Sequence, residues 1–69
     1  MKPITGKQFE KILKKNGWTS LRVHGSHHIY GKEGSIVRLS VPIHGNKLLK
    51  AGLLTHLAKM AGLTEDDLK

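Results

Sequence analysis

The apolar residues of this chain change their repeat twice within 69 residues, from helical to alternating and back. That double switch restricts the architecture more than any single motif, because a 3.6-residue pattern and a two-residue pattern cannot share one element. Phe9, Ile12 and Leu13 fall at i, i+3 and i+4, the spacing of one buried helical stripe, and Lys7, Lys11, Lys14 and Lys15 take the other side. Thr5 and Gln8 are spaced as a capping box, with Ile4 and Phe9 at the positions of a hydrophobic staple. Glu10 is placed to pair with Lys14. Asn16-Gly17 tolerates the left-handed conformation that stops a helix, so a first helix is expected over residues 5–16.

The alternating stretch follows. Thr19, Leu21 and Val23 interleave with Ser20, Arg22 and His24, which predicts a half-buried strand over 18–24. Gly25-Ser26 reads as a turn or bulge, residues 27–31 as a second strand and 32–35 as a hairpin loop. A third strand is expected over 36–41, with Val37, Leu39 and Val41 on one side and Arg38 and Ser40 on the other. Pro42 ends it for lack of a ladder donor. Beyond a loop carrying His44, Lys47 and Lys50, helical spacing returns at Leu53, Leu54, Leu57, Ala58 and Ala61, giving a second helix over 51–61 that stops at Gly62. Thr64 then opens a short acidic turn. Trp18 is expected to close the core, Met60 to lie in it, and His56 to sit on the exposed side of the second helix. The order α-β-β-β-α predicts one α+β domain over 1–69, a three-stranded antiparallel sheet with both helices on one face.

Charge narrows the partner. Lys and Arg number 12 against five acids, for a net +7. Glu65, Asp66 and Asp67 lie near the C-terminus, so residues 1–63 carry 11 bases, two acids and +9. A surface so biased attracts polyanions: nucleic acid, an anionic membrane or an acidic protein. The absence of cysteine excludes disulfides, thiolate metal sites and thiol nucleophiles. No apolar run approaches the ~20 residues that cross a bilayer, and residues 1–11 lack the apolar centre of a signal peptide. The chain therefore reads as cytoplasmic. A domain this small buries only about 60% of its unfolded surface, which leaves little room for an elaborate active site.

Three local motifs, in this element order, carry a resemblance. They are Asn16-Gly17-Trp18 at the end of the first helix, Gly25-Ser26-His27-His28-Ile29-Tyr30 opening the second strand, and the run from Val41 through Pro42, Ile43, His44, Gly45 and Asn46 to Lys47. With Ala61-Gly62-Leu63 they cover about residues 9–63, and the set resembles the HicA (YcfA-like) toxin family of toxin–antitoxin systems. The resemblance implies a fold similar to the double-stranded RNA-binding domain. It further implies a ribosome-independent mRNA endonuclease neutralised by a HicB-like antitoxin, monomeric alone and hetero-oligomeric with that partner. The family's single catalytic histidine, the first of its Gly-Ser-His motif, falls on His27. One departure is Ala51-Gly52, where the family usually has Pro-Gly or a similar pair; the expected consequence is a small shift of the helix boundary.

The residue types also suit RNA cleavage on their own terms. RNA carries its nucleophile, the 2′-OH, beside the scissile phosphate. A protein need only remove that proton, neutralise the developing phosphorane charge and protonate the leaving 5′ oxygen, with no metal or cofactor required. Histidine, with an unperturbed pKa of about 6.5, suits the proton transfers, and Lys and Arg suit the charge. Alternation puts His27 and Ile29 on one face of the second strand and His28 and Tyr30 on the other. Tyr30 is the better core residue, which turns His27 outward, although Ile29 competes for the core and a bulge at Gly25-Ser26 would invert the parity. Gly25 admits close approach of a phosphate, Ser26 is a candidate to orient the imidazole or a phosphate oxygen, and His28 reads as a half-buried, hydrogen-bonded support. Lys47 and Lys50 precede a helix N-terminus, which itself favours anions, and with Arg22, Arg38 and His44 form the expected RNA-binding set. A metal site at His24, His27 and His28 lacks a carboxylate or cysteine to complete it.

Two readings compete with a nuclease. The same fold and charge describe a non-catalytic double-stranded RNA-binding module, which binds with steep salt dependence and cleaves nothing. Alternatively the basic face docks an acidic protein.

Overall fold

The computed structural model describes residues 2–69. Its elements run α1 (Gly6–Lys15), β1 (Trp18–His24), β2 (His27–Lys32), β3 (Leu39–Pro42) and α2 (Ala51–Ala61), ending in a 3-10 turn over Asp66–Leu68. The sheet is antiparallel throughout, in the order β1-β2-β3. This is the expected α+β arrangement, consistent with the fold of the double-stranded RNA-binding domain.

Helix α1 forms for the local reasons its sequence implies. Thr5 Oγ1 accepts from the Gln8 backbone N–H at 3.1 Å, and Gln8 Oε1 accepts from the Thr5 N–H at 2.8 Å, closing the capping box. Ile4 and Phe9 are both buried, and Glu10 lies 3.9 Å from Lys14. Helix α2 begins after Lys50 with no side-chain cap and ends at Gly62, whose φ of 70° is the left-handed C-terminal cap. The C-terminal acids are ordered by a reciprocal pair, Thr64 N–H to Asp67 Oδ2 at 2.8 Å and Asp67 N–H to Thr64 Oγ1 at 3.4 Å. That turn sets Leu68 into the core beside α1.

The core lies between one face of the sheet and the helices. Trp18, Tyr30, Leu39 and Val41 are buried together with Phe9 and Leu13 of α1 and Leu54, Leu57 and Ala58 of α2. Helix α1 packs on β1 and β3, and α2 on β3. The N-terminal segment is tied to the loop before α2 by a bridge between Thr5 and Leu48 and by Leu49 N–H donating to Ile4 O at 2.9 Å. Gly6 lets the start of α1 approach the end of β3, since a Cβ there would lie 2.6 Å from the Pro42 carbonyl oxygen.

Four expectations need correction. The third strand starts at Leu39 rather than at residue 36. Ser35 Oγ takes the Val37 N–H at 3.1 Å, and the Arg38 guanidinium donates to the Ser35 and Val37 carbonyls, so this stretch spends its backbone groups locally instead of in the ladder. Ile36 is consequently 97% exposed, and Arg38 precedes the strand. Second, the alternation expected through the first strand is interrupted between Ser20 and Arg22, where the ladder shifts register, while Gly25-Ser26, expected as a turn or bulge, is a two-residue turn with Gly25 at φ 59°. The break puts Leu21 and Val23 out of phase. Third, β1, expected to be half-buried along its length, is buried only at Trp18. Fourth, Met60 is 40% exposed, since α2 turns Leu57 and Ala58 to the core instead.

Candidate functional site

Strand β2 sorts the neighbouring histidines. Residues paired across a ladder share a face, and the β2–β3 register is unbroken: His28 opposite Val41, Tyr30 opposite Leu39, His27 opposite Pro42 and Ile29 opposite Ser40. Tyr30, Leu39 and Val41 are buried, so their row faces the helices and carries a half-buried His28 with it. Among the described residues the His28 ring makes no hydrogen bond, contrary to the bond expected of it; packing beside Val41 is its environment. The alternate row faces outward and leaves His27 exposed at the start of β2.

Tyr30 anchors the inward row. Its hydroxyl donates to Glu10 on α1, a partnership the sequence reading did not anticipate. Burial, then the hydrogen bond to Glu10 and the charge of that carboxylate, raise the phenol well above its ordinary range. Trp18 is buried with its indole N–H unpartnered among the described residues, and Lys32 lies over its ring at 5.9 Å.

At the outward row, Ser40 Oγ lies 3.4 Å from His27 Nδ1. The contact follows from the ladder, because Ser40 stands opposite Ile29, two residues along the same outward row. Sequence reasoning singled out Ser26 for this region and missed Ser40. The available signal was the shared parity of Ser40 and Arg38 on the polar side of the third strand, which needed the register to become specific. Ser26 is half-buried and contributes through its backbone: its carbonyl accepts the Ile43 N–H at 2.8 Å and ties the β1–β2 turn to the chain leaving β3. Around Gly25 a Cβ would meet no protein atom within 4 Å, so its positive φ, rather than crowding, is what selects glycine.

The expected cationic set divides in two. His44, Lys47 and Lys50 come together with Pro42, Leu48 and Leu53 around a cavity of about 260 Å³ beside the first turn of α2. A turn closed by Lys47 N–H to His44 O at 2.9 Å shapes its rim. No acid stands in the first turn of α2 and no side chain caps it, so the positive end of the helix adds to these cations. Pro42 links the cavity to His27, its partner across the ladder. Arg22 and Arg38 lie elsewhere. Arg22 is exposed on the outward face opposite Ile29, and Arg38 is held by its own loop over Gly31, where a Cβ would come within 3.2 Å of Nη1. His24 is exposed opposite His27, and His56 is exposed on α2. Among the described residues no three His, Cys, Asp or Glu side chains are grouped to hold a metal ion. Nor is any helix among them long and apolar enough to cross a membrane.

Comparison with curated proteins finds no match. The family model described as the HicA toxin of bacterial toxin–antitoxin matches residues 6–63, a span holding both helices, the whole sheet and the cavity loop. On that match the chain belongs to the HicA toxin family.

Proposed function

We propose that this protein is a metal-independent endoribonuclease that cleaves mRNA in the cytoplasm, with His27 as its catalytic residue, and that a HicB-like antitoxin neutralises it. The observation that carries this reading is the setting of His27. It is exposed, its Nδ1 faces Ser40 Oγ at 3.4 Å, and its ladder partner Pro42 lines a cavity edged by His44, Lys47 and Lys50.

The chemistry follows from the substrate's own nucleophile. In the tautomer that donates Nδ1–H to Ser40 Oγ, the His27 Nε2 lone pair is free to take the 2′-OH proton. The 2′ oxygen bonds to the adjacent phosphorus, the bond from phosphorus to the 5′ oxygen breaks, and that oxygen leaves as a hydroxyl once protonated. Lys47 and Lys50 supply positive charge for the phosphorane. Products are a 2′,3′-cyclic phosphate and a 5′-OH. Ser40 is a positioning residue: its hydroxyl accepts from Nδ1 before and after proton transfer, so the ring need not turn during the reaction.

In this reading the protein is monomeric alone and hetero-oligomeric with its antitoxin, which covers the cationic side or the His27 region. The test has two arms. Expression arrests growth, and co-expression of a HicB-like partner restores it. The purified protein degrades RNA in a chelator and leaves 2′,3′-cyclic phosphate ends. RNA binding with steep salt dependence and no cleavage between pH 5 and 8 would instead establish a non-catalytic RNA-binding module.

A further inference from the structure

The 260 Å³ cavity before α2 is built unlike a site for phosphate alone. Pro42, Leu48 and Leu53 give it aliphatic walls, and His44, Lys47 and Lys50 stand in the same lining. Leu48 is 55% exposed although both chain neighbours are fixed: Lys47 closes a turn with His44, and Leu49 is buried and bonded to Ile4. Leu48 itself bridges to Thr5. Backbone bonds on either side thus hold this leucine at the surface beside the cavity. Apolar faces beside cations suit a flat base attached to a phosphate.

We infer that this cavity is a nucleobase subsite, which holds a base of the RNA while Lys47, Lys50 and His44 hold its phosphates. The inference rests on the nuclease reading for its biological role, not for its physical content. Position supports it. Ladder partners lie about 5 Å apart at Cα, so the Pro42 wall of the cavity adjoins His27, and a base seated there fixes the neighbouring phosphate near the imidazole. The lining also sets the selectivity. No amide, hydroxyl or carboxylate side chain lines the cavity, so base edges go unread by side chains. Apolar contact with the leucines and stacking on the His44 ring favour purines over pyrimidines by area and leave sequence choice loose.

Titration of the full-length protein followed by leucine methyl NMR tests this directly, with adenosine 5′-monophosphate, uridine 5′-monophosphate and ribose 5-phosphate as probes. Adenosine 5′-monophosphate binds about tenfold tighter than ribose 5-phosphate, uridine 5′-monophosphate falls between, and only the nucleotides move the Leu48 and Leu53 methyls. Leu48→Ser, at an exposed position, removes the preference for nucleotide over sugar phosphate. Equal binding of nucleotide and sugar phosphate, with the leucine methyls unmoved, overturns the subsite. An RNA-cleaving protein with that result would lose this inference and keep its nuclease reading. Base-dependent binding in a protein that cleaves no RNA would support the subsite while the nuclease reading failed.

Discussion

The two rows of β2 differ in what they ask of a side chain. The inward row, His28 and Tyr30, lies against Val41 and Leu39 and under the helices, and Tyr30 reaches Glu10 on α1. The outward row, His27 and Ile29, meets Pro42 and Ser40 on one side and His24 and Arg22 on the other, with no helix over it, and His27 is exposed. Adjacent histidines thus occupy unlike environments: one belongs to the scaffold, and its neighbour is presented to solvent by it. On the proposed reading, so small a domain supports a reactive residue because one strand serves both purposes at alternate positions.

The inward row breaks hardest. Tyr30→Ala removes a buried ring and costs about 3–5 kcal/mol, a large part of the ~5–15 kcal/mol that holds a domain; chemical denaturation should show little folded protein remaining at 37 °C. Tyr30→Phe keeps the ring, loses the bond to Glu10 and costs about 1.5–3 kcal/mol. The same pair predicts alkaline behaviour. Because the folded state raises the phenol above its ordinary 10.0, the folded protein holds that proton more tightly than the unfolded chain does. Its contribution is whole below pH 10 and is lost as pH climbs through the folded value. Tyr30 is the only tyrosine, so phenolate absorbance reports it cleanly, and Tyr30→Phe should flatten the loss.

Next in size is the cationic rim. Replacing both Lys47 and Lys50 by Ala should weaken RNA binding roughly tenfold near 0.1 M salt and lower the slope of log K against log salt by about two. Thermal stability should hold, since both side chains are exposed. Smallest is Ser40→Ala, which should reduce kcat only a few-fold at unchanged KM and leave the melting temperature alone, because Ser40 is exposed and touches His27 only through Oγ. Ser40→Thr should restore the rate, which a purely steric role would not predict.

Much of this arrangement was legible in the chain itself, for identifiable reasons. Helix α1 was set by local devices, a capping box and a staple, and local devices survive tertiary packing. The parity of β2 follows from Tyr30 being a better core residue than its competitor Ile29, and the unbroken register with β3 leaves that parity intact. Strand β1 was misread at its apolar residues because alternation assumes an unbroken ladder, and a break at Leu21 is a property of pairing with β2. The third strand was read three residues too long because valine and isoleucine favour strands, while the competing bonds of Ser35 and Arg38 depend on a loop closing. The cationic residues read as one set in the sequence, and only the fold separates Arg38, tied to its own loop, from the His44, Lys47 and Lys50 cluster.

The comparison between the two rows is tested most directly by assaying His27→Ala and His28→Ala side by side, for RNA cleavage in chelator and for melting temperature. The account predicts a crossed result. His27→Ala should lose about 10²–10⁴-fold in cleavage rate, the scale of a missing general base, and melt like the parent. His28→Ala should keep its rate within a few-fold and lose about 1 kcal/mol, or roughly 4–8 °C. Cleavage that survives in His27→Ala, or that disappears in a fully stable His28→Ala, would contradict it.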